Sequence, residues 1–349
     1  MRNMRWSDIV EVFVITTLIS YLITPLVRAI AFKTGYLDHP KSNKVHARPT
    51  PLLGGVGVYL AFTVGMFTTG NLNHDPRLLS IVVGCTLLLA VGLIDDKMGM
   101  MPEIKLLAQF LAAMLVVKSG VRMDFIHNYY LSTILTYLWI VGITNAFNLL
   151  DNMNGLSAGI ATIAAVFFGA VMWSGGQIEI AIVSFAIAGA SLGFLKHNFP
   201  EAHIFMGDSG SLVLGFLLAS TAVLGSWSTR FLTTSLAMPI IILAYPIFDT
   251  TLVTIMRIKE GRSIFQGGKD HSSHRLALLG FKKKRAVLVV YCVCVLLGAG
   301  ALIIQRLPLK PAIAVIVMIA LSMLALGIRL AMVDTGRFGR FKGVKDIGQ

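Results

Sequence analysis

Charge is scarce in this sequence of 349 residues. Asp, Glu, Lys and Arg make up 13% of it, where soluble domains carry about 25%, which excludes a string of ordinary soluble domains. Acids are scarcest, at 17 residues, so each one can be placed individually. Cysteine is nearly absent. Cys85, Cys292 and Cys294 sit in apolar runs with no histidines at metal-ligand spacing, which excludes a disulfide framework and a zinc site. No internal repeat is visible. The glycine-rich stretch Gly54-Gly55-Val56-Gly57 has no strand before it, so it reads as close helix packing and not as a phosphate cradle.

What the sequence has in abundance is apolar length. Hydrophobic residues make up 56% and the mean hydropathy is +0.77. The apolar residues fall into eleven runs, near 9–32, 52–70, 78–94, 106–118, 130–148, 156–174, 178–195, 209–226, 235–256, 286–305 and 311–330. A bilayer crossing takes roughly 20 residues, and in hydrocarbon the backbone must pair internally, which selects helices. The first run is long and others follow it, so it reads as a span and not as a cleavable signal. The expected fold is therefore an all-α polytopic membrane protein of about eleven transmembrane helices, a single integral domain over 1–349.

An odd number of spans puts the termini on opposite sides, and basic residues choose which. Of the 30 Lys and Arg, 22 fall with the loops after runs one, three, five, seven and nine and the C-terminal tail, and eight fall on the other side. The rule expects the N-terminus outside and the C-terminus in the cytoplasm; the expected location is the plasma membrane. The same split accounts for most of the net charge of +13 without nucleic acid as a partner.

The acids gather on the basic side. Asp95 and Asp96 end run three, Asp151 follows run five, Asp208 precedes run eight, and Asp249 lies in run nine, eight residues before Arg257. His271 and His274 lie in the long loop 257–285, which holds nine of the 30 basic residues. Ionisable groups at membrane depth are costly and usually functional. Crowded carboxylates repel unless a cation sits among them, and hard oxygen donors suit Mg²⁺, which takes one or two carboxylates together with substrate phosphates. The cluster suggests metal-assisted phosphoryl chemistry. Plainer roles exist beside it: Asp208 as a helix N-cap, the asparagines as turn formers, Lys282 to Arg285 as a positive-inside anchor. Asn145, Asn148 and Asp151, however, share one helical face, and a polar stripe there needs partners.

At these residues the chain resembles the polyprenyl-phosphate N-acetylhexosamine-1-phosphate transferase family, in its WecA/TagO branch. The resemblance runs from about Gly35 to Arg285 with its motifs in order. They are Asp38-His39-Pro40 with Lys44, His46 and Pro49; Leu93-Ile94-Asp95-Asp96 with Lys105 and Gln109; Asn145 to Asp151 with Gly155-Leu156; Phe205 to Ser211; and His271 to Arg275. It implies transfer of a sugar-1-phosphate, GlcNAc-1-phosphate first, from a UDP-N-acetylhexosamine to undecaprenyl phosphate, with release of UMP, at the cytoplasmic membrane face. By position it implies Asp95, Asp96, Asp151, His271 and His274 as catalytic residues. Lys105, Asn145, Asn148, Asn154, Phe205, Arg275, Lys44 and His46 are implied in substrate binding, with Phe205 stacking on uracil. Asp208 and Asn148 are implied as ligands of Mg²⁺, with Mn²⁺ as an alternative, and a homodimer is compatible. Two departures stand out: Asn154 replaces an aspartate common in bacterial members, and Ser272 and Ser273 stand where a further histidine is common. The alternatives are a MurNAc-pentapeptide transferase of the MraY type and, from another class, a transporter with an acidic ion pathway. A transporter should show an inverted repeat and midplane charges; here the acids sit at one face.

Overall fold

A computed structural model of the chain describes residues 6–38, 49–69, 75–124, 126–225, 227, 232–264 and 267–335. Its helices are α1 (Trp6–Thr34), α2 (Gly54–Thr68), α3 (Pro76–Met98), α4 (Pro102–Lys118), α5 (Tyr129–Leu150), α6 (Leu156–Ser174), α7 (Ile178–Asn198), α8 (Gly207–Leu224), α9 (Leu232–Ile242), α10 (Ala244–Lys259), α11 (Ser272–Leu278), α12 (Lys283–Arg306) and α13 (Leu309–Ala331). Among the described residues the only strands are β1 (Leu37–Asp38) and β2 (Thr50–Pro51), a two-residue antiparallel ladder. The protein is an all-α, multi-pass membrane protein. Eight helices are long and apolar enough to cross a bilayer, or nine when α9 and α10 are taken as one bent span.

Each of the eleven apolar runs contains a helix, but three do not form one long, straight span. α2 has 15 residues and α4 has 17. The ninth run breaks between α9 and α10, which are bent by 72°. The break has a covalent cause: Pro246 has no N–H to offer the carbonyl four residues back, and Pro239 weakens the turn before it. Asp249 and Arg257 both lie on the arm after the bend, roughly 12 Å apart along α10 at 1.5 Å per residue.

Lipid is as apolar as leucine, so membrane helices associate through close packing of small residues and through shared hydrogen bonds. α7 offers Ala188, Gly189, Ala190, Ser191 and Gly193 on one stretch, and α1 meets it with Thr16, Thr17 and Ser20. Ser20 Oγ donates to the Ala190 carbonyl at 2.7 Å. α8 is the enclosed centre, with 89% of its span buried against 6% for the peripheral α13. It packs against α2, α3, α5, α6 and α7. The glycine stretch at the start of α2 serves this packing: Gly54 N–H donates to the Phe205 carbonyl at 3.0 Å and Gly55 N–H to the Met206 carbonyl at 3.0 Å. A Cβ on Gly55 would lie 2.7 Å from the Ser209 carbonyl carbon, and nearer still to the backbone of Gly210.

Because its neighbours there are backbone atoms that cannot swing aside, Gly55→Val should destabilise the bundle by about 1–3 kcal/mol, the usual cost of overpacking. Thermal unfolding of the solubilised protein measures this, and an unchanged midpoint would refute the close α2–α8 contact.

Candidate functional site

The last turn of α3 carries Asp95 and Asp96, and neighbouring residues on a helix point about 100° apart. The pair therefore serves two different targets. Asp95 turns toward α4: its Oδ2 accepts from Lys105 Nζ at 2.7 Å and its Oδ1 from the Met100 N–H at 2.6 Å. Asp96 turns toward α8, where its Oδ1 accepts from the Asp208 N–H at 2.8 Å and its Oδ2 from the Ser209 N–H at 3.2 Å. α8 begins after Met206, which supplies no side-chain cap. Asp96 fills that role from another helix, pairing two amides that a helix start leaves unbonded and putting negative charge at the positive end of the helix dipole. Gly207 is the hinge of this arrangement. Its φ is +72°, and a Cβ would lie 2.5 Å from Asp96 Oδ2 and 2.7 Å from the Leu52 carbonyl, so only glycine fits.

Lys105, at the start of α4, joins the two halves. Its Nζ reaches Asp208 Oδ2 at 2.9 Å while holding Asp95 at 2.7 Å. Two carboxylates thus share one ammonium where α3, α4 and α8 meet.

The polar stripe on α5 finds its partners inside the protein. The Asn145 and Gln109 amides pair with each other, and Asn145 Nδ2 also donates to the Val141 carbonyl at 2.9 Å. Asn148 Nδ2 donates to Ser211 Oγ at 3.0 Å, one turn into α8. Asp151 caps the end of α5, half-buried. Burial first, and then the negative charges of Asp208 and Asp96, push its carboxyl up to about 8. Asn154 is exposed, with Nδ2 3.4 Å from the Pro200 carbonyl. Phe205 is half-buried just before α8, held by its N–H to the Pro51 carbonyl at 2.7 Å. Lys44 and His46 lie outside the described residues.

The loop 257–285 is built on a buried ion pair. Arg257 Nε and Nη2 donate to the two oxygens of Asp270 at 2.9 Å each, and Arg262 adds a third bond at 2.9 Å. Burial opposes the charge on Asp270, but the bonds from Arg257 outweigh it and hold the carboxyl down at about 2. His271 follows directly and sets Nδ1 2.8 Å from Asp249 Oδ2. Ser273 Oγ donates to Asn152 Oδ1 at 2.7 Å, which docks α11 beside the turn that carries Asp151. The His274 ring lies 6.2 Å from that of His271. Burial, and then the proximity of His271, push His274 down to about 4, so it is neutral at physiological pH.

Arg275 departs from its expected place at the donor. It is fully buried, its Nε donating to the Asp270 carbonyl at 2.8 Å and its Nη1 to the carbonyls of Leu330 and Val333 at 3.0 Å each. It ties the loop to the end of α13. Nε and Nη1 make the guanidinium an anchor for the loop, while Nη2 is buried without a hydrogen-bond partner. Motif reading also passed over Asp270 and Tyr245 and gave Ser211 no role, since their partners lie too far along the chain for spacing to reveal; Arg257 to Asp270 spans 13 residues and Asn148 to Ser211 spans 63.

Among the described residues, no group of three or more His, Cys, Asp or Glu converges to hold a metal unaided. What the site offers is a hard-oxygen pair, Asp208 and Asn148, the latter joined to Ser211 one turn along α8. That donor set fits Mg²⁺, which draws its remaining ligands from water and substrate phosphates.

Comparison with known proteins bears on this geometry. The probable undecaprenyl-phosphate N-acetylglucosaminyl 1-phosphate transferase of Bacillus subtilis strain 168 is 36% identical over 314 residues, 87% of each chain. The chain belongs to the WecA/TagO-like branch of glycosyl transferase family 4. Residues 78–226 match glycosyl transferase family 4, and that stretch carries α3 to α8 and the whole Asp95–Lys105–Asp208 constellation. Similar too are the decaprenyl-phosphate N-acetylglucosaminephosphotransferase of Mycolicibacterium smegmatis, 32% identical over 81% of this chain and 79% of the relative, and the undecaprenyl-phosphate alpha-N-acetylglucosaminyl 1-phosphate transferase of Escherichia coli K12, 27% identical over 85% and 83%. Members of the family are membrane phosphotransferases, and this chain is one.

The raised carboxyl of Asp151 sets a pH dependence. The folded chain keeps that proton up to about pH 8, while an unfolded aspartate releases it near 3.8. Between the two values the unfolded state binds fewer protons, so this group makes stability fall as pH rises through that window. Asp151→Asn should remove that part of the decline, giving a flatter thermal midpoint from pH 5 to pH 8 than wild type. Parallel curves for the two proteins would show that Asp151 does not hold its proton there.

Proposed function

We propose that the protein transfers N-acetylglucosamine-1-phosphate from UDP-N-acetylglucosamine to undecaprenyl phosphate, giving UMP and a polyprenyl-diphosphate-linked sugar for cell-envelope polysaccharide synthesis. The relatives' names supply the acceptor class and the sugar. The observation that carries the reading is Lys105 held between Asp95 and Asp208 at a membrane-level helix cluster, where a lipid-borne phosphate and a soluble nucleotide can meet.

The reaction joins two anions. An oxygen of the lipid phosphate bonds to the β-phosphorus of the donor, and the bond from that phosphorus to UMP breaks, its electron pair leaving with UMP. Lys105 places fixed positive charge where negative charge develops, and Asp95 holds it there. Asp95, with one carboxylate oxygen on Lys105 and one on a backbone amide, is the member of the pair that faces the reacting groups. Asp96 positions Asp208. Protonated Asp151 offers a hydrogen-bond donor beside them, where a fourth carboxylate would repel the substrates. Asp208 and Asn148 would hold Mg²⁺, which when bound offsets diphosphate charge and favours departure of UMP. Phe205, three residues before Asp208 in the chain, would stack on the uracil ring, and His271 and His274 would serve the reaction from the head of α11, which Ser273 docks on Asn152.

The orientation follows from the basic residues. α2, α4, α6 and α8 begin, and α3, α5 and α7 end, at the site, a pattern that supports counting α2, α4 and the bent α9–α10 pair as crossings. That makes eleven spans, with the N-terminus outside and the site in the cytoplasm, in the plasma membrane.

One assay tests these statements together. Sealed inverted membrane vesicles should release UMP from added UDP-N-acetylglucosamine only when undecaprenyl phosphate and Mg²⁺ are both present, and sealed right-side-out vesicles should not. Asp208→Asn should reduce the rate to background, and Asp95→Asn should lower it at least about 10²-fold. Release from right-side-out vesicles alone would invert the topology. Equal or faster turnover of UDP-MurNAc-pentapeptide would move the chain to the MraY-type reading, and near-normal activity of Asp208→Asn would remove it as ligand.

A further inference from the structure

Asp249 has no place in the chemistry just described, yet it is only 1% exposed. A carboxylate is kept in such a position by the donors around it, and three converge here. His271 Nδ1 lies 2.8 Å from Oδ2, while the Ser272 N–H and Ser272 Oγ donate to Oδ1 at 2.7 and 2.5 Å. The Tyr245 hydroxyl lies 2.7 Å from Ser272 Oγ and closes the ring of contacts from the same helix, α10. α11 has no side-chain cap of its own, its N-cap position being His271 itself, so Asp249 caps it from α10 as Asp96 caps α8 from α3.

We propose that Asp249 is a positioning residue that fixes the tautomer and the facing edge of His271. A carboxylate oxygen only accepts hydrogen bonds, so the proton of the neutral ring sits on Nδ1. That leaves Nε2, on the opposite edge, as the free valence. A proton arriving at Nε2 makes an imidazolium whose charge the buried carboxylate balances, and the resulting N–H⁺ suits a phosphate oxygen of an anionic substrate. Second-partner carboxylates set histidine tautomers in this way at catalytic and metal sites. The bond from Ser273 to Asn152 sets α11, and His271 at its head, against the turn that ends in the acid cluster. What His271 meets there rests on the transferase reading; its tautomer does not.

The test separates the two. In the purified full-length protein with ¹⁵N-labelled histidine, the His271 signal, assigned with His271→Gln, should report a protonated Nδ1. A neutral ring protonated on Nε2 would overturn the proposal, and this measurement needs no variant to fold and no substrate. Asp249→Asn keeps an oxygen for Ser272 but offers an N–H to His271, so it should move the proton to Nε2. With UDP-N-acetylglucosamine, kcat/KM for the donor should fall about 10- to 100-fold, the range of one charge-assisted hydrogen bond, with the lipid KM unchanged. The double variant with His271→Ala should be no worse than His271→Ala alone. Multiplying losses would show that Asp249 acts independently of His271 and would overturn the proposal, as would Asp249→Asn with an unmoved tautomer. If wild-type enzyme with the expected tautomer used a different donor, only the transferase assignment would fail.

Discussion

The whole site hangs on one carboxylate reaching across to the start of another helix. Asp96 leaves α3 and accepts from the second and third amides of α8, those of Asp208 and Ser209, at 2.8 and 3.2 Å. α8 is also the most enclosed element of the bundle, so fixing its first turn fixes Asp208 relative to Asp95, Lys105 and Asn148. The approach is so close that Gly207 has a left-handed backbone and Gly92 of α3 must leave its side open against Ser209. Packing, capping and the placement of a chemically active carboxylate are here a single constraint.

The bundle treats its two ends differently. At the end away from the site, α3 and α5 are capped locally, by Asp75 accepting from Arg77 and by Asn128 accepting from Leu131. At the site, α8 and α11 have no local side-chain cap and borrow aspartates from α3 and α10. A local cap stabilises one helix. A borrowed cap also locks two helices in register, which is what a site assembled from several helices requires. The loop before α11 follows the same logic, with Asp270 gathering Arg257 and Arg262, and Arg275 pinning the end of α13. Loops that carry function are commonly held by such rigid supports.

Much of this was legible in the sequence, and the limits have physical causes. The apolar runs each hold a helix among the described residues because a bilayer demands length and internal pairing, whatever the detailed contacts. They missed the bend after Leu243 because hydropathy does not register a missing amide at Pro246. Motif order brought Asp95, Asp96, Lys105, Asn148 and Asp208 to attention, and they do converge. It marked Asp95 and Asp96 as one catalytic pair without saying which does what, whereas the 100° between adjacent helix positions sends them to different partners. Arg275 looked like a substrate contact because its charge was visible and its burial was not. Asp249 was marked by its depth in an apolar run, but its bond to His271 depends on how the chain folds back over 22 residues, which spacing cannot supply.

The central claim is that Asp96 acts through Asp208, holding the proposed metal ligand in place without touching the metal. Mn²⁺, titrated by electron paramagnetic resonance into the purified protein with UDP present, tests it without relying on turnover. Removal of a residue that orients a metal ligand typically weakens binding about 10- to 100-fold. Asp96→Ala, with Asp208 intact and the protein folded, should therefore bind Mn²⁺ weaker by that factor. Wild-type Mn²⁺ affinity in Asp96→Ala would contradict the account.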